Sequence, residues 1–140
     1  MYVTWITQAG LVFETERMTV MVDPYLSNSV AETLDKRKER RIPVDERVFD
    51  IHPDVIIITH DHLDHLDPDT LEKFLCRGGK PITVLAPYNA YKRLCEFGGD
   101  HNYVLLAPHS VWSEGGLTFY AVSAEHSDRC AAGYIIDDGN

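Results

Sequence analysis

The chain has 140 residues, 44% of them hydrophobic and 25% charged, which is enough for one buried core and excludes a disordered or fibrous protein. Its 22 acidic and 13 basic side chains give a net charge of -9, which disfavours nucleic acid as a partner. No apolar run approaches the roughly 18 residues that a membrane span needs. The three cysteines form no CxxC pair, which is typical of a reducing compartment. We therefore expect one domain over residues 1–140, located in the cytoplasm, with no membrane segment.

The first part of the chain predicts an antiparallel start to a sheet. Residues 2–7, 11–13 and 19–22 are rich in β-branched and aromatic side chains and are joined by short links. Residues 30–40 predict a short helix that Pro43 ends. The basic run 36–41 has two interpretations: a solvated helix end, where cations suit the helix dipole, or a clamp for an anionic substrate group.

Alternating strands and helices follow. Residues 54–59 predict a strand, and its continuous apolar run Val55-Ile56-Ile57-Ile58 is typical of a strand buried on both faces. A helix is predicted to open at Asp67 and Pro68, with Asp67 as the capping acceptor, and to bury Leu71, Phe74 and Leu75 before two glycines end it.

The rest of the chain continues this alternation and adds strands. Residues 88–97 predict a second helix, and residues 108–116 a polar connection. Further strands are predicted at residues 82–86, 103–106, 117–123 and 132–136. Antiparallel strands followed by alternating strand and helix predict a layered α+β domain.

Between the buried strand at 54–59 and the helix at Asp67 lies a dense set of possible metal ligands. His60 and His62 are two residues apart, so in an extended segment both imidazoles point the same way and can bind one ion. Asp64 and His65 lie where the chain turns, and they are placed to bind a second ion. Imidazole and carboxylate ligands suit Zn²⁺, Mn²⁺ or Fe²⁺.

The stretch His60-Asp61-His62-Leu63-Asp64-His65 resembles the HxHxDH motif of the metallo-β-lactamase fold superfamily. Val22-Asp23-Pro24 and the segment around Glu125-His126 are also similar to that family, and residues 23–27 look most like its ascorbate-6-phosphate lactonase branch. The resemblance implies an αββα sandwich, of which this chain matches the first half: a mixed sheet with helices on one face.

The resemblance also implies the roles of individual residues. His60, His62 and His126 would hold a first metal, Asp64 and His65 would belong to a second, and Asp23 would support the metal loop. One or two divalent ions, with Zn or Mn preferred, are therefore expected. The family's bridging aspartate and last histidine would follow the strand at 132–136, so we expect either a truncated chain or ligands from another chain. Because half a fold exposes a sheet face and edge, a homo-oligomer is expected.

The function that the resemblance implies is a metal-dependent hydrolase in which a metal-bound hydroxide attacks an ester or lactone of a small, anionic molecule. Asp64 is the candidate catalytic carboxylate. The candidate anchors for the substrate's anionic group are Arg37, Arg40 and Arg41. Two alternatives stay open: a phosphodiesterase or nuclease of the same superfamily, and a metal-binding or dimerisation module without turnover.

The remaining histidines and the cysteines are interpreted as structural. His52, His101 and His109 lack a close ligand partner in the sequence and are predicted at the surface or in turns. Cys76, Cys95 and Cys130 are predicted to be small buried side chains.

Overall fold

The computed structural model describes residues 1–139, which contain nine strands and three α-helices. The strands are β1 (Tyr2–Thr7), β2 (Gly10–Glu14), β3 (Thr19–Val22), β4 (Val55–Ile57), β5 (Thr83–Ala86), β6 (Asn102–Leu105), β7 (Val111–Glu114), β8 (Leu117–Ser123) and β9 (Ala132–Asp137). The helices are α1 (Ser29–Thr33), α2 (Pro68–Leu75) and α3 (Tyr88–Leu94), with 3-10 turns at Lys36–Lys38, Glu46–Asp50 and Cys95–Phe97. None of the helices within residues 1–139 has the length and apolar character needed to cross a bilayer.

The strands form two sheets. In the first, the order is β1-β2-β3-β4-β5-β6; the pairs from β1 to β3 are antiparallel and those from β3 to β6 are parallel. In the second, β7, β8 and β9 pair antiparallel. The first sheet is the expected mixed sheet, and its parallel part comes from the alternating strands and helices.

Two cores hold the layers together, and β4 belongs to both. Ile56 and Ile58 pack into the cluster that contains the apolar faces of α2 and α3. Val55 and Ile57 point the other way and pack with Phe119 of the second sheet. All four aliphatic side chains are fully buried, because period-two alternation sends successive residues of one apolar run to opposite faces of the sheet. Helices thus cover one face of the first sheet, as predicted, and the second sheet covers the other.

The segment predicted as a helix over residues 30–40 is shorter in the structure. Helix α1 ends at Thr33, and the Asp35 carboxylate accepts a hydrogen bond from the backbone N–H of Arg37 at 3.0 Å to start a separate 3-10 turn. Leu34 is 69% exposed, so no apolar face favours a longer helix. The helix therefore ends before Asp35, whose carboxylate binds the backbone N–H of Arg37, and not at Pro43.

Two further local predictions need correction. The connection predicted over residues 108–116 contains β7, which pairs with β8. This strand lies at the edge of the second sheet, and its many polar residues led to the prediction of a connection. Asp67 does stand at the N-cap of α2, but its carboxylate accepts hydrogen bonds from the Ser29 and Thr70 hydroxyls, at 3.0 and 2.5 Å, instead of a backbone N–H.

The burial predicted for the cysteines is wrong. Cys76 and Cys95 are exposed, and Cys130 is half-buried. Cys76 and Cys95 come directly after α2 and α3, where the chain leaves the core. His52 and His109 are exposed, as expected, whereas half-buried His101 accepts from the Ile82 backbone N–H at 3.1 Å and lies 2.7 Å from the Leu75 carbonyl oxygen.

Candidate metal centre

The metal-ligand stretch lies at the carboxyl ends of the parallel strands. The loop that begins at Thr59 follows β4, and Asp23 directly follows β3 on the neighbouring strand. The Asp23 backbone N–H donates to the Ile57 carbonyl at 2.9 Å, which extends the pairing of β3 and β4 up to the loop. The carboxyl ends of parallel strands are where open α/β sheets bind ligands, because the connecting loops diverge there and leave a crevice.

Three histidines converge at this crevice. The ring nitrogens of His60, His62 and His126 lie within 4.8 Å of one another. The centroid of the His60 ring is 4.7 Å from the centroid of the His62 ring and 4.2 Å from that of the His126 ring. His126 comes from the loop after β8, so it is the packing of the second sheet on the first that delivers the third nitrogen.

His60 has an unpartnered nitrogen that fits a metal ligand. Among residues 1–139, its Nε2 is a buried side-chain nitrogen without a hydrogen-bond partner. A buried polar atom without a partner is costly, so such an atom is expected where an ion or a ligand binds. Burial, with the neighbouring His65 and His126, lowers the pKa of His60 to about 4, which keeps the ring neutral at physiological pH and able to coordinate.

Asp23 fixes the orientation of this ring through Thr59. The Asp23 carboxylate accepts from the Thr59 backbone N–H at 2.8 Å and from the Thr59 hydroxyl at 2.6 Å. The same hydroxyl lies 2.9 Å from His60 Nδ1. Since the hydroxyl proton goes to Asp23, we assign the proton of this contact to His60 Nδ1, which leaves the lone pair of Nε2 free for an ion.

Asp23 also holds His65, the last histidine of the motif. His65 Nδ1 lies 2.8 Å from Asp23 Oδ2, and His65 Nε2 lies 3.8 Å from Asp64 Oδ2. Burial alone would lower the pKa of His65, but the hydrogen bond to Asp23 and the charges of Asp23 and Asp64 together raise it above its usual value. Asp23 is itself buried and adopts a φ of 43°, a left-handed conformation that aspartate tolerates better than most residues.

The residues predicted for the site are thus grouped as follows. His60, His62 and His126 converge, Asp64 and His65 lie next to them, and Asp23 stands behind the loop. Arg37, Arg40 and Arg41 line a cleft of about 1080 Å³ that also reaches His62 and Asp64. Arg37 pairs with Asp35, whereas Arg40 is bound to backbone and side-chain oxygens inside the protein.

The sequence reasoning did not identify two residues that shape the centre. Asp128 accepts hydrogen bonds from the Asp61 backbone N–H at 3.1 Å and from Asn89 Nδ2 at 3.0 Å, so it ties the loop of His126 to the metal loop. Arg93 of α3 forms an ion pair with Asp61. Both contacts join segments that are distant in sequence, so no pattern of neighbouring residues predicts them.

Comparisons with known proteins show which family and fold the chain resembles. A UPF0173 metal-dependent hydrolase from Methanosarcina mazei is 30% identical over 139 residues, which cover 99% of this chain and 52% of the relative. A metallo hydrolase from the archaeon Ignicoccus hospitalis matches with a TM-score of 0.71 at 21% identity, over 98% of this chain and 56% of its own. A diiron β-hydroxylase from Streptomyces venezuelae matches with a TM-score of 0.70 at 22% identity, over 98% of this chain and 27% of its own. The chain thus spans about half the length of the curated relative.

The sequence also matches the family described as the β-lactamase superfamily domain, over residues 18–140. That match includes the motif after β4, the supporting Asp23 and the loop of His126, the three segments that the fold brings together at one edge of the sheet. The chain therefore belongs to the β-lactamase superfamily.

Proposed function

We propose that this protein is a metal-dependent hydrolase whose ion is held by His60, His62 and His126. The observation that carries the proposal is the convergence of three histidine nitrogens around the buried, unpartnered Nε2 of His60. Three histidines with an open fourth position are a donor set that catalytic zinc sites use. The curated relative from Methanosarcina mazei is named a metal-dependent hydrolase, which supports the same reaction class here.

The chain's own residues have distinct tasks in this proposal. His60, His62 and His126 would hold a divalent ion, which would supply a Lewis acid and lower the pKa of a bound water toward roughly 7. Asp64 lines the cleft beside His62, and in this proposal its carboxylate takes the proton of the attacking water. Asp23 holds Thr59 and His65, and through Thr59 it orients His60.

Asp64 and His65 form the proposed second metal-binding site. Because Asp23 occupies Nδ1 of His65, the Nε2 atom faces Asp64 and is the nitrogen available for coordination. The donor set of imidazole and carboxylate suits Zn²⁺ or Mn²⁺, and a related fold in the Streptomyces venezuelae protein is that of a diiron enzyme. We propose one or two ions per chain, with zinc or manganese preferred.

The proposed substrate is an ester or lactone of a small, anionic molecule. The cleft beside the histidines supports this, since it is large enough for a small organic molecule and is lined by cationic residues. The lactonase-like reaction was suggested by the stretch at residues 23–27 and remains a proposal.

The proposed partner is a second copy of the chain, and the proposed location is the cytoplasm. The outer face of the second sheet exposes apolar side chains, which favours association. The three cysteines are free, two of them exposed, which suits a reducing compartment.

The test is the metal content of the purified full chain, measured by elemental analysis together with its native mass. We expect one or two ions per chain, a loss of at least one ion in His60→Ala and His126→Ala, and full content in His52→Ala, whose exposed side chain is outside the cluster. Metal-loaded protein is then assayed with aryl esters, lactones and an aryl phosphodiester.

Each result decides a different point. Ester or lactone hydrolysis that disappears with chelation and in His60→Ala supports the proposal. Hydrolysis of the phosphodiester alone assigns the chain to the phosphodiesterase alternative. Metal binding without turnover means a binding module, and no metal after reconstitution with zinc and manganese overturns the centre itself.

A further inference from the structure

The cleft beside the metal centre has two walls. One wall is the metal loop with His62 and Asp64, together with Arg93 of α3. The other wall consists of the end of β1, the turn after it and the segment over residues 25–42. A molecule in the cleft can therefore contact the second wall while its other end lies beside His62 and Asp64.

Two of the three arginines on the second wall are already engaged. The guanidinium of Arg37 binds both carboxylate oxygens of Asp35, from Nε at 3.0 Å and from Nη2 at 2.9 Å. Arg40 donates to the Thr7 hydroxyl and to the Tyr25 carbonyl, both at 2.5 Å, and lies 4.8 Å from the centroid of the Tyr25 ring. The contacts of Arg40 tie the end of β1 to this segment and occupy its guanidinium, whereas the Arg37 pair lies at the surface, where the Arg37 side chain is 90% exposed.

Arg41 and Lys38 are the open cations of this wall. Within residues 1–139 neither side chain has a hydrogen bond or an ion pair with the protein, and both are exposed to the cleft. Arg93, on the facing wall, is paired with Asp61. Glu39 also lines the second wall and is open, so two free cations there face one free carboxylate. An anionic group is therefore favoured at Arg41 and Lys38.

The same wall also presents apolar surface. Trp5, Leu34 and Ile42 line the cleft and are 55%, 69% and 49% exposed. The indole N–H of Trp5 donates to the Gln8 carbonyl at 3.0 Å, which holds the ring in place. An aromatic ring fixed before binding contributes contact area at a small entropic cost.

We propose that this cleft selects amphipathic anions: an acidic group at Arg41 and Lys38, joined to an aromatic or short aliphatic body that packs on Trp5, Leu34 and Ile42. The inference rests on the proposed hydrolase function and narrows its substrate, because a sugar acid would leave this apolar wall without a partner. Exposed apolar surface beside convergent polar groups is the usual character of a small-molecule site.

The probe is 2-naphthalenesulfonate, an amphipathic anion that coordinates metals weakly, titrated into the metal-loaded full chain by calorimetry. We expect it to bind at one site per chain and about tenfold more tightly than neutral 2-naphthol or ring-free methanesulfonate. Arg41→Gln and Trp5→Ala are each expected to raise its Kd about tenfold. Arg47→Gln is the matched control, because Arg47 pairs with Asp45 two residues earlier and does not line the cleft; it should leave the Kd within about twofold.

Other variants separate this inference from the hydrolase proposal. His60→Ala, which removes a metal donor, is expected to keep sulfonate binding, so an inactive protein still tests the cleft. Tyr120→Ser, on the exposed sheet face, is likewise expected to leave binding unchanged. The inference is overturned if 2-naphthol binds as well as the sulfonate, if Arg41→Gln has no effect, or if His60→Ala or Tyr120→Ser abolishes binding.

Discussion

At the scale of single residues, Asp128 connects three segments at the candidate centre. Its carboxylate accepts from the Asp61 backbone N–H, from Asn89 of α3 and from the Cys130 backbone N–H at 2.9 Å. Burial alone would raise the pKa of Asp128, but these hydrogen bonds lower it below the usual value, so the group stays ionised. Because His126 lies two residues earlier, this carboxylate fixes the third histidine relative to the metal loop.

We predict that Asp128→Asn weakens metal binding by about 10- to 100-fold, as is usual when a residue that supports metal ligands is changed. The amide has one acceptor oxygen instead of two, so at least one of the three contacts is lost. The measurement is zinc affinity by competition with a chelator, together with the visible spectrum of the Co²⁺ form, which reports ligand geometry. Asp100→Asn, an exposed aspartate after α3, is the matched control. An unchanged affinity and an unchanged Co²⁺ spectrum would contradict this role.

At the scale of elements, β4 is the strand on which both cores depend. Ile57 packs between the sheets and is fully buried, whereas Ile42, in the segment after α1, is 49% exposed. We predict that Ile57→Ala lowers the free energy of unfolding by about 2–5 kcal/mol, since it removes apolar contacts and leaves a cavity. Ile42→Ala, the same change at an exposed position outside the sheet face, should cost no more than about 0.5 kcal/mol. Urea unfolding measures both, and similar losses for the two variants would show that the second sheet does not pack as described.

At the scale of the whole molecule, the outer face of the second sheet carries a row of apolar side chains. Val111, Tyr120 and Ile135 are neighbours across β7, β8 and β9, and they are 54%, 39% and 55% exposed. Val122, further along β8, is 37% exposed on the same face. Contiguous apolar surface of this kind is typical of an interface. It supports the proposal that copies of the chain associate.

We predict that the chain sediments as a dimer or larger species at micromolar concentration, and that Tyr120→Lys shifts it toward the monomer because a charge would be buried in the contact. Sedimentation velocity over a range of concentrations measures both effects. His52→Lys, at an exposed position outside this face, is the control and should leave the distribution unchanged. A monomer for the unchanged chain would rule out self-association through this face.

The sequence by itself determined the features that depend on neighbours along the chain. The apolar run of β4 and the ligand-rich loop after it are adjacent in sequence, so their order predicted both a buried strand and a metal loop at its end. The helix after Pro68 and the strand Leu117–Ser123 follow from local periodicity and capping residues in the same way. His126 and Asp23 were reached only through family resemblance, because their spacing from the loop carries no local signal.

Only the tertiary structure decided which distant segments meet. It brings His126 beside His60 and His62, and it places Asp128 against the metal loop. It also separates the three arginines of one basic run: Arg40 is bound to the end of β1, Arg37 forms an exposed pair with Asp35, and Arg41 is open to the cleft. The physical reason is that the partners of Arg40 and Asp128 come from segments far apart in sequence, and only packing between those segments brings them into contact.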